Sequence, residues 1–444
     1  MKRITGRYNA VMNTTKPAIT ITPELLAGIG QEIGRNFDFR VNPDGSGSFV
    51  DGPAIALLAL LDQIVRLSLE TSLPPFHISR RTVKGHGGPD WRHGELRHVE
   101  LKTATPNLRS PASAELAALL QTLNSSGAAL GPFDPMASRL QYAPHIGLLL
   151  DVFLAHHMSA CQGHKRNEPV GDTGLIKAEI DNDFVARFRQ SMLERKLLRR
   201  ERHNWNLGSR ENAGTLTAYL HDLFVKHDSV TVLHLRLFHT RERASLLSAS
   251  AQDQHLDLLA LRTCRAKFFD RMRRKPALFT DEPGYAWAIL PSLTGGYDLH
   301  LTLLFDTAAL QKMLDDRRVE AEHTGAVLED HADQVGEYWV KGATGGRGSY
   351  LRGDRNPWLY GPDWVHGKVR ADDRVRLGKL TEMLSYLAMR RALVRLKNEP
   401  AGVYFRTPDR KARPLRRPSK TVQKERQSRA PALGLHSKIG IQNT

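Results

Sequence analysis

A carboxylate and an imidazole alternate with apolar residues in the run Tyr297-Asp298-Leu299-His300-Leu301-Thr302-Leu303-Leu304-Phe305. On an extended strand, successive side chains point to opposite faces. Tyr297, Leu299, Leu301, Leu303 and Phe305 are therefore expected to point into a core, with Asp298, His300 and Thr302 sharing the other face. An Asp and a His two residues apart on a strand stand close enough to share one divalent cation, and a mixed oxygen and nitrogen donor set suits Mn2+ or Mg2+. The competing reading is a solvated strand face on which both side chains meet water. A second alternating run, Val230 to Phe238, sets His234 and Arg236 on one face. Beside the first strand, His234 would be a third ligand and Arg236 a phosphate contact. Nothing in the sequence fixes that adjacency, and a polar strand face is the alternative for each.

Tyr386 is the candidate nucleophile. It lies in a helical pattern whose buried stripe is Leu377, Leu380, Leu384 and Leu387, with Glu382 one turn before it and Arg390 one turn after. A tyrosine at the border of such a stripe ordinarily packs its ring and leaves its hydroxyl in water. Attack on phosphorus needs a phenolate favoured by a nearby cation, for which Arg390 and Arg391 are placed, and a phosphate made electrophilic by a metal. The glycine-rich run Gly342 to Ser349 lacks the Gly-Lys-Ser/Thr ending of a nucleotide-binding P-loop. With Arg347 and Arg352, and with Trp358, Tyr360 and Trp364 following, it fits a single-strand contact region in which aromatics stack bases and arginines hold the backbone. The alternative is that the aromatics pack the loop onto its domain. Two further groupings, His86 with His93 and His98, and His156 with His157, Cys161 and His164, match no standard zinc spacing.

These segments together give a pattern that resembles the replication endonucleases of filamentous phages (inoviruses) and the YagK/YfjJ-type proteins encoded by prophages and integrated elements. The resemblance covers roughly residues 225 to 407 and is carried by Gly296-Tyr297-Asp298-Leu299-His300, by Trp364-Val365-His366-Gly367-Lys368 and by Ser385-Tyr386-Leu387-Ala388. It implies a rolling-circle initiator of the His-hydrophobic-His type. In that class two histidines flanking an apolar residue hold a divalent metal against the scissile phosphate, and a helix tyrosine attacks to leave a 5′-phosphotyrosine and a free 3′-hydroxyl. By position, Asp298 and His300 take the ligand places and Tyr386 the nucleophile place, with Lys368 among the nucleic-acid contacts. Two departures stand out. A carboxylate replaces the first metal histidine, which hard cations tolerate. Met389 falls where a lysine is often found, with Arg390 displaced by one position as its substitute.

The elements that must position these residues read as a strand at Val230 to Phe238, a helix at Gln252 to Met272, and strands at Gly284 to Leu290 and Tyr297 to Phe305 joined by a Gly295-Gly296 hairpin turn. A helix at Thr307 to Glu322, a strand at Gly336 to Lys341, a helix at Asp373 to Asn398 and a last strand at Val403 to Arg406 follow. This order predicts an α+β, split βαβ (ferredoxin-like) antiparallel sheet with helices on one face and the other face free for a site. Upstream, helical spacing at Ala54 to Glu70, Ala112 to Leu123 and Ala143 to Ala160, and an Arg/Lys-dense helix at Asp183 to His203, predict a mainly helical domain, with a Gly/His-rich loop at Lys84 to Glu95. The expected layout is a loosely ordered N-terminus (1–35), a helical domain (36–210), a nicking-type domain (211–409) and a disordered basic tail (410–444).

Composition points to the partner. The chain has 444 residues, with 64 Lys and Arg against 47 Asp and Glu, a net charge of +17. A surface of that sign meets polyphosphates, and counterion release supplies sequence-independent affinity. Two cysteines exclude a disulfide framework. The N-terminus does not read as a signal peptide, and the apolar runs Ala54 to Val65 and Ile146 to Leu154 are too short to span a bilayer, so a cytoplasmic location without membrane is expected. The expected partners are DNA, as an origin-like duplex and as single strand, and host replication proteins. The leading expectation is a site-specific DNA-nicking initiator. The alternatives are a non-catalytic DNA-binding regulator on the same fold and an RNA-binding module.

Overall fold

The computed structural model describes Leu25, residues 28–31, 39–41, 47–49, 57–85, 97–126, 139–161, 163–196, 198–240, 249–292, 296–360 and 364–408. The expected loosely ordered N-terminus falls largely outside these residues, and the expected disordered tail falls wholly outside them. Residues Met1–Pro408 cluster as one compact unit. It is an α+β structure whose sheets are antiparallel throughout. Among the described residues no helix is long and apolar enough to cross a membrane.

The first part of the unit holds two short paired strands, β1 (Phe39–Val41) and β2 (Gly47–Phe49), then α1 (Leu57–Glu70). A hairpin of β3 (Phe76–Gly85) and β4 (Arg97–Pro106) follows, then α2 (Pro111–Ser126), β5 (Leu140–Tyr142) and α3 (Pro144–Ala155). The expected helices are there, but the long hairpin departs from a mainly helical reading, and residues 86–96 of the expected Gly/His-rich loop lie outside the described residues. The single basic helix expected at 183–203 is two helices, α4 (Lys177–Glu194) and α5 (Leu198–Lys226), because the chain leaves helical geometry at Arg195 (ψ 72°). The expected domain boundary at 210/211 lies inside α5. That helix is pinned to the C-terminal part by Trp205, whose Nε1 donates to the carbonyl of Ala392 (2.8 Å).

The second part is built on β6 (Ser229–Phe238), α6 (Ala251–Met272), β7 (Gly284–Pro291), β8 (Tyr297–Asp306) and α7 (Thr307–Thr324). These match the alternating and helical patterns because each pattern matches its element's own period. Ser250 caps α6 and Asp306 caps α7. In the sheet, β6 lies beside β8 and β8 beside β7, with shorter strands from further along the chain at both edges. In the register of β6 and β8, His234 lies opposite Thr302 and Arg236 opposite His300.

Three expectations fail here. Residues 336–341 are not a strand: α8 (His331–Tyr338) runs into a single π-helical turn at Trp339–Ala343. Asp330 caps α8 through Ala332 (2.8 Å), and the fully buried Trp339 donates its Nε1 to the carbonyl of Phe238 (2.8 Å), so tertiary anchoring overrides the β-prone sequence. The strands flanking β6 are instead β9 (Ser349–Arg352) and β10 (Gly367–Arg370). The last long helix, α9 (Arg374–Met389), stops nine residues short of Asn398, and the chain turns to lay β11 (Val394–Leu396) against β5. The final strand shortens to β12 (Phe405–Arg406) beside β7.

The third failure concerns the free face. Every residue of β8 from Tyr297 to Phe305 is buried. The odd-numbered side packs under α6, where Phe269 meets Tyr285 (4.6 Å between ring centroids) and the Arg265 guanidinium lies 4.2 Å over Trp287. The even-numbered side, carrying His234, Arg236, Asp298, His300 and Thr302, is covered by α9 and by residues 353–360 and 364–366. The stripe Leu380, Leu384 and Leu387 is buried as expected, and a helix with such a stripe needs a surface to cover.

Candidate functional site

The even-numbered face gathers the residues singled out in the sequence, but in a closed arrangement. From opposite His300, Arg236 reaches diagonally to Asp298, with Nε 3.0 Å and Nη2 2.5 Å from the same carboxylate oxygen. Arg236 is 1 % exposed and Asp298 0 %. Two charges removed from water this completely hold together only because each compensates the other. Burial, and next the Arg236 guanidinium, hold His300 well below the usual histidine range, so its ring is neutral. Its Nδ1 lies 3.2 Å from the Tyr360 hydroxyl.

His234 is held more tightly still. Its Nε2 lies 3.1 Å from the carbonyl oxygen of Val365, and since a carbonyl only accepts, Nε2 carries the proton. In the neutral ring Nδ1 then accepts from the Thr302 hydroxyl, 2.7 Å away. Burial, with neighbouring His366 as a lesser cause, pushes the His234 pKa down to about 3.

The cover over these side chains is residues 353–360 and 364–366. Gly353 donates its backbone N–H to the His234 carbonyl (2.9 Å). A Cβ at that glycine would lie 2.7 Å from a ring carbon of His366 and 3.0 Å from the His234 Cβ, so the close approach requires glycine. Tyr360 and Trp364 stack with centroids 4.0 Å apart, and Trp364 meets the His234 ring edge-on at 4.8 Å. The Val365 N–H points to the Met383 sulfur of α9 (3.2 Å), tying cover to helix. Trp364 is thus a buried packing residue, as in the alternative reading of the aromatics. The side chain of Trp358 lies outside the described residues. Arg352, expected to hold a nucleic-acid backbone, is buried in an ion network with Asp330 (2.7 Å), Asp333 (2.9 Å) and Asp354 (2.6 Å), and this network anchors the start of the cover.

Tyr386 is half-buried, and its hydroxyl donates to the Glu382 carboxylate (2.5 Å). Its ring lies flat on Gly28, where a Cβ would come within 2.3 Å of Cζ. The cations expected to favour its phenolate are engaged elsewhere. Arg390, fully enclosed, and Arg391 both pair with Glu399 (3.5 and 2.9 Å), and their guanidinium carbons lie 5.0 and 4.6 Å over the Tyr404 ring.

This arrangement does not fit a divalent cation. Of the three expected ligands, Asp298 is already neutralised by a guanidinium and both nitrogens of His234 are hydrogen-bonded. A metal brought to Asp298 and His300 would also sit against the buried positive charge of Arg236. Among the described residues no group of three or more His, Cys, Asp and Glu side chains converges. The second histidine grouping is equally structural: His156 bonds Asp183 (3.0 Å), and the Cys161 thiol points to the carbonyl of His157 (3.0 Å).

Compared with known proteins, the chain matches no family model, no curated protein and no solved structure.

Of the expected nucleic-acid contacts, Arg347 and Lys368 are exposed, the latter on edge strand β10. Arg236 is fully enclosed, and Arg391 is half-buried beside Glu399. The residues that close the site, Thr302, Gly353, Tyr360 and Val365, carry no signal of that role in the sequence. The sequence places Thr302 on the Asp298 and His300 face, Tyr360 among the aromatics of a loop and Val365 within a motif, with nothing to mark them as the groups that close over the histidines.

Proposed function

We propose that the chain is a DNA-binding protein on a nicking-type framework, one that holds duplex DNA without cleaving it in its closed form. The observation that carries this reading is the buried Arg236–Asp298 ion pair, which sets a protein cation where strand cleavage needs a metal. The net charge of +17 supports polyphosphate as the partner, and DNA-nicking relatives suggested by the sequence pattern make DNA the first choice. A regulator of the element that encodes it is the role in keeping with these features.

The rolling-circle initiator remains the second reading, and one observation favours it. The strand order around β6, β8 and β7 is that of a split βαβ sheet, and His234, Asp298 and His300 share the face under the helix that carries Tyr386. Cleavage on this reading requires Tyr360, Trp364 and Val365 to move off the face and Arg236 to release Asp298.

One assay separates the two. Supercoiled DNA carrying the chain's own flanking sequence is incubated with the protein in Mn2+, in Mg2+ and in EDTA. The binding reading expects retention that weakens steeply with salt and no relaxed product under any metal. Metal-dependent nicking that disappears in Tyr386→Phe, Asp298→Ala and His300→Ala would replace it with the initiator reading.

A further inference from the structure

The β3–β4 hairpin is longer than its packing requires. Each strand has ten residues, paired from Phe76 with Pro106 to Gly85 with Arg97, which at 3.3–3.4 Å per residue gives a ribbon of roughly 30 Å. Its base is packed into the body: Phe76 and Ala104 are buried, and the backbone of Phe76 exchanges hydrogen bonds with the Asn182 side chain (3.0 and 2.9 Å). From Ser79 to Lys84 and from Glu100 to Thr103 most side chains are exposed, on both faces. A two-stranded ribbon in water is marginally stable by itself, so an arm of this length points to a use other than core formation.

Its two faces differ. On the inner face, Arg80 (3.3 Å) and Lys102 (3.0 Å) both bond Glu179 of α4, which sets the angle of the ribbon to the body. On the outer face, Arg81 stands exposed opposite Leu101, which is 52 % exposed, flanked by Ser79 and Thr103. Arg81 has no ion pair among the described residues. Over 76–84 and 100–106 the charged residues are Arg80, Arg81, Lys84 and Lys102 against Glu100 alone.

We infer that the β3–β4 ribbon is the duplex-reading element of this protein, entering the major groove of B-form DNA with its Arg81/Leu101 face toward the base edges. The major groove, about 12 Å wide, admits a two-stranded ribbon. The outer face presents the chemistry found at base edges: a guanidinium for the two acceptors of guanine, hydroxyls for either base pair, and a branched aliphatic for the thymine methyl group. Lys84, near the tip, is the phosphate contact. The deep and narrow major groove of A-form RNA does not accept such a ribbon, which separates DNA from duplex RNA. This inference rests on the DNA-binding reading and gives it a surface.

The test uses the full chain. Duplexes are selected from a randomised DNA library, and the winner is compared with an unrelated duplex and an RNA duplex of equal length. Arg81→Ala is expected to weaken the selected duplex by roughly ten- to a hundredfold and the unrelated one little. Arg81→Lys, which keeps charge but not the fork, should behave nearly as Arg81→Ala on the selected duplex. Lys84→Ala should weaken both DNA duplexes alike and lower the salt slope by about one. Methylation of guanine N7 in the selected site should block wild-type binding. A wild type that binds no duplex overturns the DNA-binding reading itself. The ribbon assignment alone falls if selected DNA binds Arg81→Ala as it binds wild type, if no sequence is enriched, or if RNA duplex competes equally.

Discussion

Two regions of this protein set polar and charged side chains on antiparallel strands, with opposite consequences. In the central sheet, His234, Arg236, Asp298 and His300 are enclosed by α9 and residues 353–360 and 364–366, and their charges and ring nitrogens are engaged with one another or with the cover. On the β3–β4 ribbon, Arg81 and Lys84 stand in solvent with their charges uncommitted among the described residues. The difference is desolvation. An enclosed charge must find its counter-charge inside the fold, because the cost of leaving it alone is several kcal/mol. An exposed one remains available to a partner, at the cost of little stability.

That contrast can be broken most directly at Asp298. Asp298→Ala leaves the Arg236 guanidinium enclosed and uncompensated, and is expected to lower stability by about 3–5 kcal/mol in denaturant unfolding. A loss below about 1 kcal/mol would mean that water reaches the cluster, and the open-site reading would regain ground. Acid acts on the same region. His234 titrates near 3 in the folded chain, against about 6.5 when unfolded. Between those values the unfolded chain binds more protons, so stability is complete above pH 6.5 and falls as pH drops through the window, by about 1.4 kcal/mol per unit for a single histidine. His300, lowered by burial first and by the Arg236 guanidinium next, acts in the same direction. Unfolding measured at pH 7 and pH 5 reads this loss, and His234→Gln should shrink it; an unchanged pH dependence in that variant would show that His234 is not the titrating group. The smallest effect belongs to the ribbon. Arg81→Ala should shift stability by no more than about 0.5 kcal/mol, and a shift comparable with that of Asp298→Ala would mean that the ribbon is folded against a part of the chain that its exposure does not suggest.

The elements legible in the sequence were those whose local period agrees with their environment. The strands Val230–Phe238 and Tyr297–Phe305 alternate because their two faces differ in polarity, even though both faces are buried, so alternation identified the strands while misleading as to a solvated side. The helix at 336–343 was hidden because Trp339 and its β-branched neighbour Val340 favour a strand locally, and only the bond of Trp339 to Phe238 and the Asp330 cap decide otherwise. The end of α9 could not be read because what stops it is a partner strand more than 250 residues away in the chain, β5. The β3–β4 hairpin is weakly marked for a different reason: Val99 and Leu101 alternate with His98, Glu100 and Lys102, but on the partner strand Ile78 and Val83 fall on opposite faces, so no single alternation spans both strands.

By itself the sequence determined which side chains share a face, the net positive charge, and the runs that become β6, β7 and β8, because these depend on covalent order, charge and backbone period alone. Only the tertiary structure decided what those side chains do. Arg236 falls on Asp298 through the register of β6 against β8, and Val365 closes over His234 and Tyr360 over His300 from 131 and 60 residues further along the chain. Whether a buried carboxylate meets a metal or a guanidinium is a matter of packing between distant segments, and no local pattern encodes it.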